Sequence, residues 1–168
     1  SDMGSTVAEY EQSLKDDYYK GALNDYVTDY LVDNSTVNKF PGKYLKNVKS
    51  TTKFSDVQSY QYMSQMYQQY GMEAGTFEDF IGMTDEEYDA DIIDRAQKFA
   101  KADLVYQAVL ESEGIVLSEA DAEANVKEMY GGDDYYNSSV ETYGKGYTNK
   151  NAVKNKAVDI AVESATVK

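Results

Sequence analysis

The chain has 168 residues, with 30 Asp and Glu against 16 Lys and Arg, a net charge of −14, 17 Tyr, one Pro, no Cys and no His. Without Cys or His, thiolate chemistry, histidine bases and zinc sites built on nitrogen or sulfur are excluded, which leaves carboxylates, Lys, Tyr and Ser for any catalysis. An acidic surface repels phosphate, so nucleic acid and anionic lipid are not expected as direct partners, and no apolar run reaches the roughly 18 residues of a membrane span, so membrane insertion is not expected.

Residues 6–168 read as one domain, preceded by Ser1-Asp2-Met3-Gly4-Ser5, which has the composition of a cloning scar; no signal peptide is recognisable. Thr6-x-x-Glu9 is a capping box, and it opens a helix expected to run to about Asp33. Val7, Tyr10, Leu14 and Tyr18, then Leu23, Val27, Tyr30 and Leu31, recur along it at helical spacing, with Gly21 as a weak point. Asn34 to Pro41 breaks the helix, because Asn, Ser and Thr compete for backbone hydrogen bonds and Phe40 is pushed out of the helical region by Pro41.

A second helix is expected from near Gly42 to about Tyr70, ended by Gly71. Tyr44, Leu45 and Val48 begin its stripe; Phe54, Val57, Tyr60, Met63, Met66, Tyr67 and Tyr70 finish it, with a bend expected at Ser50-Thr51-Thr52. Thr76 to Ile81 reads as a short capped turn. Thr84-Asp85-Glu86-Glu87 is a further capping box, opening a helix whose face is Tyr88, Ile92, Ala96, Phe99, Tyr106, Val109 and Leu110 and which Gly114 ends. After an extended link at Ile115-Val116-Leu117, Ser118 to Asp121 opens a helix that stops at Gly131-Gly132. A short helix is expected around Tyr135 to Tyr143, and a last one from about Thr148 to Ser164 with Val153, Ala157, Ile160 and Ala161 inward. No long segment alternates with strand period, so the class is all-α.

The motifs that could carry chemistry fail on inspection. The acidic run from Asp85 has Ala90 and Ala96 where a calcium loop needs Gly and Glu, and its acids already suit the start of a helix. Gly144-Lys145-Gly146 lacks both the upstream Gly and the Ser or Thr of a phosphate loop. No metal site, no cofactor and no catalytic residue is predicted. The feature that stands out is the cluster Tyr60, Tyr62, Met63, Met66, Tyr67, Tyr70, Met72, Phe77, Phe80 and Met83. Tyr62 and Met66, and Met63 and Tyr67, are each four apart, so two adjacent rows run along one helix. Such residues adapt to many shapes, as promiscuous peptide-binding surfaces require. The same residues would also serve as ordinary core beneath the Phe77–Phe80 turn, and the sequence leaves both readings open.

The order of segments is familiar. Leu31-Val32-Asp33-Asn34-Ser35-Thr36-Val37 and Phe40-Pro41 are followed by Tyr67-x-x-Tyr70-Gly71-Met72 and Phe80-Ile81-Gly82-Met83-Thr84. Ala100-Lys101-x-x-Leu104-Val105-Tyr106-Gln107-Ala108-Val109 and Glu113-Gly114-Ile115-x-Leu117-Ser118-Glu119 come next, then Val140-Glu141-x-Tyr143-Gly144 and Asn155-Lys156-Ala157-Val158-Asp159. In this order and spacing, from Thr6 to Lys168, the chain resembles the C-terminal domain of bacterial trigger factor and its relatives, a fold shared with the peptide-binding part of the SurA chaperone.

The resemblance implies an elongated multi-helix domain with helical arms around a cradle for unfolded chains. It implies an ATP-independent holdase without catalytic residues, because the isomerase of such proteins is a separate FKBP-like domain and ribosome docking belongs to another. Unfolded or nascent polypeptides are the implied partners, and Tyr60, Met63, Met66, Tyr67, Tyr70, Phe77 and Phe80 are the residues expected to touch them. The alternative is a structural module that forms a homodimer and positions a separate isomerase domain. The Tyr-, Asn- and Ser-rich composition and the Asp33 to Pro41 segment resemble clostridial-type relatives that are lipid-anchored outside the cell. An extracytoplasmic, membrane-tethered parent is therefore expected, with a cytoplasmic one as the alternative.

Overall fold

A computed structural model describes residues 6–165; the expected cloning scar and residues 166–168 lie outside them. The described residues form seven α-helices and no strand: α1 Val7–Asp33, α2 Gly42–Gln69, α3 Phe77–Ile81, α4 Asp85–Ser112, α5 Glu119–Tyr130, α6 Gly132–Tyr143 and α7 Lys145–Ser164. The region read as one domain divides into two compact units, one of residues 37–102 and one that joins residues up to 36 with those from 103 onward.

In the unit of residues 37–102, α2 packs its first half on α4. Val48, Ala96 and Ala100 are buried together, with Phe40, Tyr44 and Leu45 against them. Positions 88, 92, 96 and 100 are each four apart, and Tyr88, Ile92, Ala96 and Ala100 are the residues buried there. Phe99 lies one position off this row, about 100° round the helix, and is half exposed rather than on the inner face. α2 runs without interruption through Ser50-Thr51-Thr52, where a bend was expected. The Thr51 and Thr52 hydroxyls donate to the carbonyls of Asn47 and Val48, at 3.0 and 2.9 Å, so each is satisfied within an unbroken helix.

In the other unit, α5, α6 and α7 bury Ala122, Val126, Tyr136 and Ala152 around Leu117 and Val140. Two boundaries differ from expectation. Gly131 and Gly132, with φ of 104° and 82°, occupy left-handed conformations that turn the chain without a linker. α6 therefore starts at Gly132, three residues before expectation, and Asp133 and Asp134 lie in its first turn. α7 starts at Lys145, a turn before Thr148. Thr148 is fully buried; its hydroxyl donates to Gly144 O at 3.2 Å and lies 2.9 Å from the Ser139 hydroxyl. The buried face of α7 is accordingly Thr148, Ala152, Ala157 and Val158, while Val153, Ile160 and Ala161 are only half-buried.

α1 packs on α7, and Val27 is its buried residue. The first part of its apolar series has no such cover: every described residue up to Ala22 is exposed, and Val7 is 75% accessible. The Thr6 capping box is present, with Thr6 Oγ accepting from Glu9 N–H and the Glu9 carboxylate accepting from Thr6 N–H.

Candidate functional site

The end of α2 makes a cleft with the segment that follows it and with α3. Gly71, at φ 69°, supplies the left-handed residue that ends the helix, and the Gly71 and Met72 N–H groups donate back to Gln68 O and Tyr67 O at 3.0 and 2.9 Å. The chain then returns along α2, where the Tyr60 hydroxyl donates to Gly75 O at 2.9 Å. Thr76 opens α3 with a capping box: its hydroxyl accepts from Asp79 N–H at 3.2 Å, and Asp79 Oδ2 accepts from the Thr76 N–H and hydroxyl, both at 2.8 Å. Those bonds, the backbone one foremost, hold the Asp79 carboxyl below the usual range, so it stays charged at the rim.

The cleft has a volume of about 310 Å³. Tyr60, Met63, Ser64 and Tyr67 line it from α2, Asp79 and Phe80 from α3, and residues 74–76 close the end. Phe77 stands behind this wall. Its ring meets Tyr60 edge-on at 5.6 Å and Tyr88 edge-on at 5.4 Å, and Phe80 is tilted over Tyr60 at 5.8 Å. The Ser64 hydroxyl is buried in the same wall with no hydrogen-bond partner.

A polar clasp holds Tyr88 from the other side. Its hydroxyl donates to Asp56 Oδ2 at 2.9 Å, and the Asp56 carboxylate takes both Arg95 terminal nitrogens, at 3.1 and 2.6 Å. Arg95 Nε donates to Asp91 at 2.6 Å. Burial alone would raise the Asp56 carboxyl, but the Arg95 and Tyr88 hydrogen bonds outweigh it and hold it low. Burial, with the Asp56 acceptor, pushes the Tyr88 phenol up to about 12.

Of the seven residues singled out in the sequence, Tyr60, Met63, Tyr67 and Phe80 come together on the cleft, and Phe77 supports it from behind. Met66 is half-buried on α2 and does not line it; Tyr70 is 74% exposed and lies outside it. The sequence reading missed the polar and small side of the cleft: Ser64, Ala74, Gly75, Thr76 and Asp79. The Thr76-x-x-Asp79 cap is itself a readable signal, but that it faces α2 depends on the turn at Gly71. Among the described residues no group of three acidic side chains could hold a metal ion, and no helix is long and apolar enough to cross a membrane.

Comparison with known proteins gives a consistent result. Residues 6–168 match the family described as bacterial trigger factor protein C-terminus. The protein named trigger factor from Levilactobacillus brevis is 32% identical over 108 residues, which cover 64% of this chain and 23% of that protein. No solved structure matches significantly. The match over nearly the whole chain, on an all-helical fold, is decisive: this chain belongs to the bacterial trigger factor C-terminus family.

Proposed function

We propose that this chain is an ATP-independent holdase domain that binds unfolded or nascent polypeptide, with the α2–α3 cleft as one of its client sites. The observation that carries the reading is the cleft itself, an apolar concavity of about 310 Å³ walled by Tyr60, Met63, Tyr67 and Phe80. Its size is at the low end of ligand sites, which suits side chains of an extended segment rather than a folded surface. Each apolar side chain seated there contributes roughly 1.5–3 kcal/mol before the cost of ordering the client, so the binding is weak at one site and gains from several. Any isomerase activity of a longer parent would reside in a separate domain, as the non-catalytic character of this family part implies.

Aggregation of a chemically unfolded reporter, with and without a stoichiometric amount of this chain, tests the reading. Suppression is expected, and it falls when Tyr67→Ser and Phe80→Ser are combined. Both side chains are more than a third exposed, so the variant keeps its helical circular dichroism. No suppression at several-fold excess overturns the holdase reading. Full suppression by the double variant moves the client site elsewhere. A mass that doubles with concentration, without client binding, favours the dimerisation module instead.

A further inference from the structure

We propose that the α2–α3 cleft is a methionine-oxidation site, at which peroxide converts the Met63 thioether to a sulfoxide and thereby lowers the affinity of the cleft for apolar segments. The inference rests on reading the cleft as a client site. It starts from the placement of sulfur in this chain. There is no Cys, and four of the six Met residues, Met63, Met66, Met72 and Met83, fall within 21 positions. All four are on the elements that build the cleft or beside them. Met63 lines it from α2, and Met66 is half-buried one turn further on. Met72, 50% exposed, follows the turn at Gly71 and leads into the closing segment; Met83, 38% exposed, follows the end of α3 at Gly82. With no thiol in the chain to react first, a two-electron oxidant meets these thioethers.

The step balances simply. The Met63 sulfur attacks one oxygen of hydrogen peroxide, the O–O bond breaks, and the proton of the transferred hydroxyl passes to the departing hydroxide. Sulfur is oxidised by two electrons to the sulfoxide and the peroxide is reduced to water; a reductase of the methionine sulfoxide class reverses the change. The product replaces an adaptable apolar wall with a polar S=O group that demands a hydrogen-bond donor. Two of the lining hydroxyls are already engaged. The Tyr60 hydroxyl is committed to Gly75 O and the Thr76 hydroxyl to Asp79, which leaves the unpartnered Ser64 hydroxyl, buried in the same wall, as a donor beside Met63. A sulfoxide there stays hydrated in the cleft or turns to the Ser64 hydroxyl; in both cases the apolar face that Met63 offered a client is lost, and binding weakens.

The test uses the full chain, graded hydrogen peroxide, peptide mapping of the added oxygen, and affinity for reduced, carboxymethylated α-lactalbumin as a permanently unfolded probe. Met129, 58% exposed on α5, is the internal comparison for solvent-driven oxidation. Affinity is expected to fall on the order of tenfold, equivalent to 1.4 kcal/mol, in step with Met63 sulfoxide rather than with Met129 sulfoxide, while the helical dichroism stays constant. In Met63→Leu the ratio of affinities before and after peroxide is expected to stay near one, whatever the starting affinity of that variant, and Met63→Gln is expected to bind as weakly as the oxidised chain. Unchanged affinity with Met63 fully oxidised overturns the inference, as does a loss in Met63→Leu as large as in the parent. Failure of the unoxidised chain to bind the probe at all is a different result: it overturns the client-site reading, and this inference falls with it.

Discussion

Tyr88 joins the two kinds of interaction that hold the cleft in place. Its ring lies edge-on to Phe77, which backs the cleft, and its hydroxyl donates to an Asp56 carboxylate already engaged by Arg95. Tyr88→Phe keeps the ring contact and deletes one hydrogen bond, while Asp56 retains Arg95. A loss of about 1–2 kcal/mol in urea unfolding is expected, with helical content intact. The same residue sets an alkaline limb. The unfolded phenol titrates near 10, and the folded one is pushed up to about 12 by burial and by Asp56. Between those values the unfolded chain has released the proton and the folded chain has not, so stability is full below pH 10 and falls as pH rises towards 12. Tyr106 and Tyr147 are shifted upward as well and keep part of that slope in the variant. Tyr88→Phe is expected to make it shallower, and an unchanged slope would place the shift elsewhere. Helical spacing made the ring of Tyr88 legible as an inner position. The partner of its hydroxyl was not legible, because Asp56 lies 32 residues away and nothing local links them. The site divides in the same way: Tyr60, Met63, Tyr67 and Phe80 were readable as a cluster of one character, whereas Ser64 and Gly75 join it only through the fold.

At the scale of the element, what could be read was what is local. The Thr6–Glu9, Thr76–Asp79 and Thr84–Glu87 caps each close within four residues, and all three form as hydrogen-bonded boxes. The starts of α6 and α7 escaped because they depend on a pair of left-handed glycines and on the burial of Thr148 against Ser139, a contact across two helices. α1 shows the opposite limit. A regular period says that a helix has an apolar face, not that something covers it. Val7, Tyr10, Leu14 and Tyr18 belong to the same series as Val27, yet only Val27 is buried. A helix segment without tertiary cover is marginal on its own, because most helical stability comes from packing. Amides of residues 10–22 are therefore expected to exchange with solvent at least about tenfold faster than those of residues 24–33. Leu14→Ser is expected to change global stability by less than about 0.5 kcal/mol, against about 1–2 kcal/mol for Val27→Ala. Uniform protection along α1 would mean that its first half is covered in solution.

Across the whole molecule the charge is unevenly divided. Residues 37–102 carry 8 Lys and Arg against 10 Asp and Glu, a net of −2, so −12 of the total of −14 belongs to the other unit. Ion pairs there involve few cations: Lys127 with Glu123 and Asp133, Lys145 with Glu119 and Glu123, and Lys150 with Asp103. Added salt has two opposed effects on such a unit. It weakens exposed pairs, which contribute little to begin with, and it screens the repulsion among the excess carboxylates, which acts over a Debye length of about 30 Å at 0.01 M and about 10 Å at 0.1 M. With so large an excess of one sign, the screened repulsion is the larger effect, and this unit should gain stability with salt. The unit of residues 37–102 has nearly balanced charge, and its main pair, Asp56 with Arg95, is partly buried and so responds less. Hydrogen exchange followed from low to moderate NaCl separates the two. Slowing of roughly five- to tenfold, on the order of 1 kcal/mol, is expected for the protected amides of α5 to α7, and less than about twofold for those of α2. Equal slowing in both would trace the effect to general salting-out of apolar surface, and faster exchange in α5 to α7 would mean that the lysine pairs, few as they are, outweigh the repulsion around them.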